Sequence, residues 1–120
     1  MLERHRRFEP KIATKSGINV RSKYEKKCAD FLFENNIEFQ YEPLILLAGK
    51  QYRPDFYLPS QNVFLEICGY NHMPFYVDRT SFKKQLYDKH NLKAIFIYFN
   101  GKGRLEEELK KSLAAHGFEL

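Results

Sequence analysis

Tryptophan is absent from the 120 residues, and cysteine, proline and glycine are sparse, at two, five and six. Two cysteines, Cys28 and Cys68, fall in different elements and cannot staple a disulfide-rich scaffold. No C-x-x-C pair and no paired-histidine spacing is present, which argues against zinc; Cys68 with His72, joined by His90 or Cys28, is the only alternative the spacing leaves. A nucleophilic role for Cys68 lacks a spaced histidine and acid. No apolar run approaches the length that spans a bilayer, so no membrane is expected. The first residues are basic and polar, without the apolar core of a secretory signal. These absences point to an intracellular, cytoplasmic protein with free thiols. Internal repeats and low-complexity segments are also missing.

What is present is the composition of a folded domain: 43% hydrophobic and 16% aromatic residues, in a chain long enough for one real core. The net charge is +5. Residues 1–23 carry seven Lys or Arg against Glu3 and Glu9, which is already +5, so the remaining residues balance at thirteen against thirteen. The excess is therefore a basic arm, residues 1–20, ahead of a domain over 21–120. Such an arm commonly contacts nucleic-acid phosphates through residues such as Arg4, Arg6, Arg7, Lys11 and Lys15, with Arg21 and Lys23 next to it. Pro10 and Gly17 punctuate it, and it is expected to hold little regular structure beyond a short helix near Leu2 to Phe8.

The stretch Arg53 to Gly69, RPDFYLPSQNVFLEICG, organises the domain. Tyr52 to Leu58 alternates, Val63 to Cys68 is apolar except for Glu66, and Pro59-Ser60-Gln61-Asn62 supplies turn chemistry. With Ser60 and Gln61 as a two-residue loop, Asp55 falls opposite Glu66, where Cβ atoms stand about 4.5–5.5 Å apart and like charges repel. A shared proton, a nearby Lys or Arg, or a divalent cation would make the pair tolerable. A structural ion pair such as Arg53 with Glu66 would serve equally well.

Around it the pattern predicts a helix from Ser22 to about Asn35, with Tyr24, Cys28, Phe31 and Leu32 on its buried face and Ser22 and Glu25 as a capping box. Strand is expected over Glu38–Tyr41 and Leu44–Leu47, bent at Pro43, then a turn at Ala48–Gln51. A second helix spans Phe75 to about His90. Lys83 shares its apolar side with Leu86 and Tyr87, while Lys84 lies with Thr80 and Asp88 on the polar side. Tyr70, Tyr76 and Tyr87 are read as packing residues before base-stacking ones. Lys93 to Phe99, apolar on both faces, is expected at the centre of a covered sheet. A last helix over Leu105–Ala115 stops at Gly117, and its Glu106–Glu108 cluster suits the helix dipole. The order α-β-β-β-α-β-α implies an α/β (α+β) fold with a mixed sheet flanked by helices.

Over Arg21 to Phe99 the chain resembles the PD-(D/E)XK nuclease superfamily, through Pro54-Asp55, Glu66-Ile67-Cys68 and the upstream Glu25. The stretch RSKYEKKCADFLFENNIEFQYE with RPDFYLP is similar to phage endonuclease I-type Holliday junction resolvases. Gly69 followed by Tyr76, Arg79, Lys83 and Tyr87 is similar to nuclease domains of helicase IV-like proteins, in which a lysine on the following helix replaces the strand lysine. The resemblance implies a restriction-endonuclease-like core and Mg²⁺- or Mn²⁺-dependent hydrolysis of DNA phosphodiesters, in double-stranded or branched DNA, by a homodimer. It further implies that Asp55, Glu66 and the Ile67 carbonyl hold the metal and that Glu25 acts through water or on a second metal. Lys83 then stands in for the lysine missing at Cys68, with Lys84 as fallback, and Arg53, Arg79 and Lys84 are placed to contact the nucleic acid. The competing reading is an inactive nucleic-acid-binding module that keeps the fold.

Overall fold

The computed structural model describes residues 9–68, 74–99 and 101–120, with 74–78 as backbone only. Among these, the chain forms a compact α+β domain of three helices and a mixed four-stranded sheet, with two small hairpins. The first hairpin pairs β1 (Ile12–Ala13) with β2 (Asn19–Val20). It is closed by Thr14, whose N–H and hydroxyl both donate to the Ile18 carbonyl. Val20 is fully buried, so the stretch read from sequence as an arm with little regular structure contributes to the core from residue 12 onward. The segment Leu2–Phe8 lies outside the described residues.

Helix α1 (Lys23–Glu34) begins where Ser22 accepts the Glu25 N–H at 3.1 Å. Cys28, Ala29 and Leu32 give it a fully buried face. Strand β3 (Gln40–Tyr41) follows, and Pro43 breaks the chain before the hairpin of β4 (Ile45–Leu47) and β5 (Lys50–Tyr52). Its two central residues, Ala48 and Gly49, both have positive φ, at 52° and 79°, the arrangement of a type I′ turn. Sequence reading assigned Lys50 and Gln51 to the turn and ran the next strand unbroken from Tyr52; in the structure Lys50–Tyr52 pair back on β4, and Arg53-Pro54-Asp55 separate them from β6 (Phe56–Leu58).

A 3₁₀ turn at Pro59–Gln61, with Asn62 at φ 50°, connects β6 to β7 (Val63–Cys68). The register Phe56↔Leu65, Tyr57↔Phe64, Leu58↔Val63 is the one expected from the turn length. Helix α2 (Pro74–Lys89) then crosses over to β8 (Lys93–Tyr98), which runs parallel to β7. The sheet order is β3-β6-β7-β8. The expectation that β8 is central is therefore overturned: among the described residues it is an edge strand. Its run reads as apolar on both faces because the inner face meets the core and the outer face lies under α2.

Strand alternation divides the sheet into two sides. Phe56, Leu58, Val63, Leu65, Ile95 and Ile97 form one core with α1 and with the Leu105, Leu109, Leu113 stripe of α3 (Leu105–Ala115). Tyr57, Phe64, Glu66 and Phe96 point to the other side, where Tyr87 of α2 packs against Phe64 and Phe96. No helix among the described residues is long and apolar enough to cross a membrane.

Candidate active site

The site grows out of the place where β6 stops short. Carrying the β6–β7 register one step on sets Asp55 opposite Glu66, and a second step sets Pro54 opposite Ile67. The Ile67 N–H donates to Asp55 Oδ2 at 2.8 Å. In a strand, a residue's N–H and C=O point to the same side, so the Ile67 carbonyl also faces the Asp55 side. The residue across from it is Pro54, which has no N–H to donate. The Pro-Asp dipeptide thus ends the ladder and leaves a carbonyl beside a carboxylate.

Glu66 is 1% exposed. A carboxylate this deep needs partners, and α2 supplies both of them one turn apart. Lys83 Nζ stands 3.0 Å from Glu66 Oε1, and the Tyr87 hydroxyl donates to Oε2 at 2.5 Å. Burial works against the Lys83 charge, but Glu66 and Asp55 outweigh it, and its pKa lies above the ordinary value. Burial, together with Glu66, likewise holds the Tyr87 phenol in its protonated form. Asp55 is compensated less well. Burial and then the charge on Glu66 push its carboxyl well above the usual carboxylate range, despite Lys83 and the Ile67 N–H.

Glu25 lies on the far flank. Its Oε1 accepts the Arg21 N–H at 3.0 Å and the Tyr41 hydroxyl at 2.7 Å. Its charge also raises Asp55, and both acids, after burial, raise the Cys28 thiol one turn further along α1. Beside it, Glu42 takes a left-handed backbone at φ 46°. That geometry is held from three sides. Arg21 Nε reaches both Glu42 oxygens at 3.1 and 3.0 Å, Arg53 donates to its carbonyl at 3.2 Å, and its own N–H donates to the Asp55 carbonyl at 2.9 Å. The loop that presents Asp55 is thereby fastened to β3.

The geometry sorts the residues singled out from sequence. Asp55, Glu66, Lys83 and the Ile67 backbone converge, with Glu25 near enough to act on Asp55 by charge. The ion pair formed is Lys83 with Glu66; Arg53 instead holds Glu42, while lining the same cleft as Glu66, Lys83 and Tyr87. Lys84 points away from the acids, with Nζ 5.4 and 4.9 Å from the Phe96 and Tyr98 ring centroids. Cys68 is a neutral thiol, pushed up to about 11 by burial above all, and accepts from the Thr80 hydroxyl at 3.8 Å. Arg79 is partly buried one turn before Lys83. Of the basic residues, Arg21 is engaged by Glu42 and Lys15 by Glu34 at 3.1 Å, whereas Lys11 and Lys23 are exposed. Arg4, Arg6, Arg7 and His72 lie outside the described residues. Sequence reading passed over Tyr41 and Tyr87 as partners of the acids, because a tyrosine on an apolar face reads as a packing ring until its hydroxyl's partner is known.

Among the described residues no three His, Cys, Asp or Glu side chains converge as a ready metal centre. Asp55 and Glu66 form a pair. Two hard oxygen donors, excess negative charge that one lysine leaves uncompensated, and a carbonyl facing a proline are the donor set a Mg²⁺-class cation takes, with water completing the shell. Comparison of the chain with protein-family models, curated proteins and solved structures gave no match.

Proposed function

We propose that this protein is a metal-dependent endonuclease acting on DNA, built on a restriction-endonuclease-like core of the PD-(D/E)XK type. The observation that carries the reading is the 3.0 Å approach of Lys83 to Glu66, beside Asp55, from the helix that follows the acid strand. A lysine there supplies the ammonium that Cys68 cannot. Asp55, Glu66 and the Ile67 carbonyl would hold Mg²⁺ or Mn²⁺, which supplies Lewis acidity toward a scissile phosphate and lowers the pKa of a bound water.

The chain's own residues do the rest. Lys83 stays protonated and sets a fixed positive charge at the acids, where negative charge builds in phosphodiester hydrolysis. Tyr87 holds the second Glu66 oxygen, so that the carboxylate presents one orientation. Glu25, held by Tyr41 and the Arg21 N–H, adds a further acid at the flank. Arg53 and Arg79 border this region and suit phosphate oxygens of the substrate strand. A homodimer that sets two such centres on one branched DNA belongs to the same proposal.

The test is cleavage of labelled linear, nicked, flapped and four-way-junction DNA in Mg²⁺ or Mn²⁺, with EDTA as blank. Wild type is expected to cut, and Asp55→Ala and Lys83→Ala each to lose at least about a hundredfold in rate. Binding without cutting by wild type would instead identify a nucleic-acid-binding module with this fold.

A further inference from the structure

The side of β8 that faces α2 carries a feature the acid site does not use. In the parallel register Phe96 lies beside Glu66 and Tyr98 beside Cys68. Two residues along and one strand across places Tyr98 about 8 Å from Glu66, backbone to backbone. Because β8 is an edge strand among the described residues, no described strand lies beyond it. Tyr98 is 38% exposed. Over it and Phe96 lies Lys84, next in sequence to Lys83, with its ammonium about equally distant from both rings. Lys84 makes no ion pair among the described residues. A groove of about 240 Å³ continues from Lys84 past Tyr87 and Phe96 to Asp88 and Leu92. Asp88, one turn beyond Lys84, makes the far end repel phosphate, so an anionic strand would run from the acids toward Lys84 and Tyr98.

We infer that Lys84 and Tyr98 form a nucleotide subsite beside the cleavage centre, which takes an unpaired nucleotide flanking the scissile phosphate. This rests on the nuclease reading for the position of that phosphate. Lys84 meets the nucleotide's phosphate and the Tyr98 ring stacks its base. A ring face is open only to a base out of its own stack, so the subsite selects flapped or branched DNA over fully paired duplex. The weak attraction between the lysine and the rings keeps the ammonium poised without neutralising it.

The experiment titrates a labelled short oligothymidylate with the full chain in EDTA over a salt series. Wild type is compared with Lys84→Ala, Tyr98→Leu and Tyr98→Phe, and flapped and blunt duplexes are then cut in Mg²⁺. Tyr98→Leu is expected to weaken binding roughly tenfold and to erase the preference for the flapped substrate, while Tyr98→Phe keeps both. Lys84→Ala is expected to reduce the slope of log affinity against log salt by about 0.7. If Tyr98→Leu and Lys84→Ala bind the oligonucleotide as wild type does, with the same slope, the subsite is overturned and cutting by wild type still upholds the nuclease reading. If wild type cuts nothing yet the two variants show these binding losses, Lys84 and Tyr98 bind an unpaired nucleotide, while the nuclease reading falls and with it the subsite's place beside a scissile phosphate.

Discussion

The two sides of the sheet bury their residues by different rules. Toward α1 and α3, Phe56, Leu58, Leu65 and Ile97 are all 1% exposed or less and meet aliphatic and aromatic neighbours. Toward α2, Glu66 is buried equally deeply, but among a lysine, a phenol and a second acid. The first side gains from every atom taken out of water. On the second, burial works against the charge on Asp55 and on Lys83, and the surplus negative charge on the acids is left uncompensated. A bound cation, as in the proposed function, would relieve that cost, and the dry side supplies the stability that makes it tolerable.

Breaking the dry side should produce the largest effect. Phe56 is fully buried and packs against Phe39 and Tyr41. Phe56→Ala should cost about 3–5 kcal/mol, read as a shift of the urea midpoint at unchanged m-value. A loss under about 1 kcal/mol would show that this side is not the stabilising one.

Removing the cation on the charged side should cost less. Lys83→Met keeps the stem but leaves Glu66 with only the Tyr87 hydroxyl. Loss of one partner of a fully buried pair costs about 3–5 kcal/mol. Lys83 is 24% exposed, which admits water, so about 1–3 kcal/mol is expected by the same denaturant measurement. Lys84→Met serves as the control and should shift stability by less than about 0.5 kcal/mol. Equal effects from the two lysines would erase the distinction between them.

How much of this contrast can be read from sequence depends on the range of the interaction. The Asp55–Glu66 juxtaposition follows from turn length and strand period, both local, and the β6–β7 register agrees with it. The inward face of Lys83 follows from its spacing to Leu86 and Tyr87 within one helix. The hairpin β1–β2 was not legible, and of β4–β5 only the first strand and the turn at Ala48 and Gly49 were, because strands of two or three residues are shorter than any period can register. The edge position of β8 was hidden because sheet order is a property of topology, and a strand covered on both faces reads as apolar whether or not a second strand pairs with its free edge. The hydroxyl contacts of Tyr41 and Tyr87 join residues sixteen and twenty-one positions apart, beyond what local pattern carries.

The smallest effect should have the opposite sign. Asp55 is the group whose charge the folded, metal-free protein tolerates least, since burial and Glu66 both raise its pKa. A folded pKa above the unfolded value means that the native state binds the proton more tightly. Its contribution is therefore fully present below the unfolded value, near about 4, and is lost as pH rises through the folded one. Asp55→Asn removes that loss and keeps an oxygen to accept the Ile67 N–H. In EDTA at neutral pH the variant should be more stable than wild type by on the order of 1 kcal/mol, and the two should converge toward pH 4. Adding Mg²⁺ should raise the midpoint of wild type and leave the variant's unchanged, because the cation relieves a repulsion that only wild type has. A variant less stable than wild type at neutral pH would mean that Asp55 is a structural acid held by its hydrogen bond. The two sides of the sheet would then differ in polarity alone, and the proposed metal site would lose the uncompensated charge that supports it.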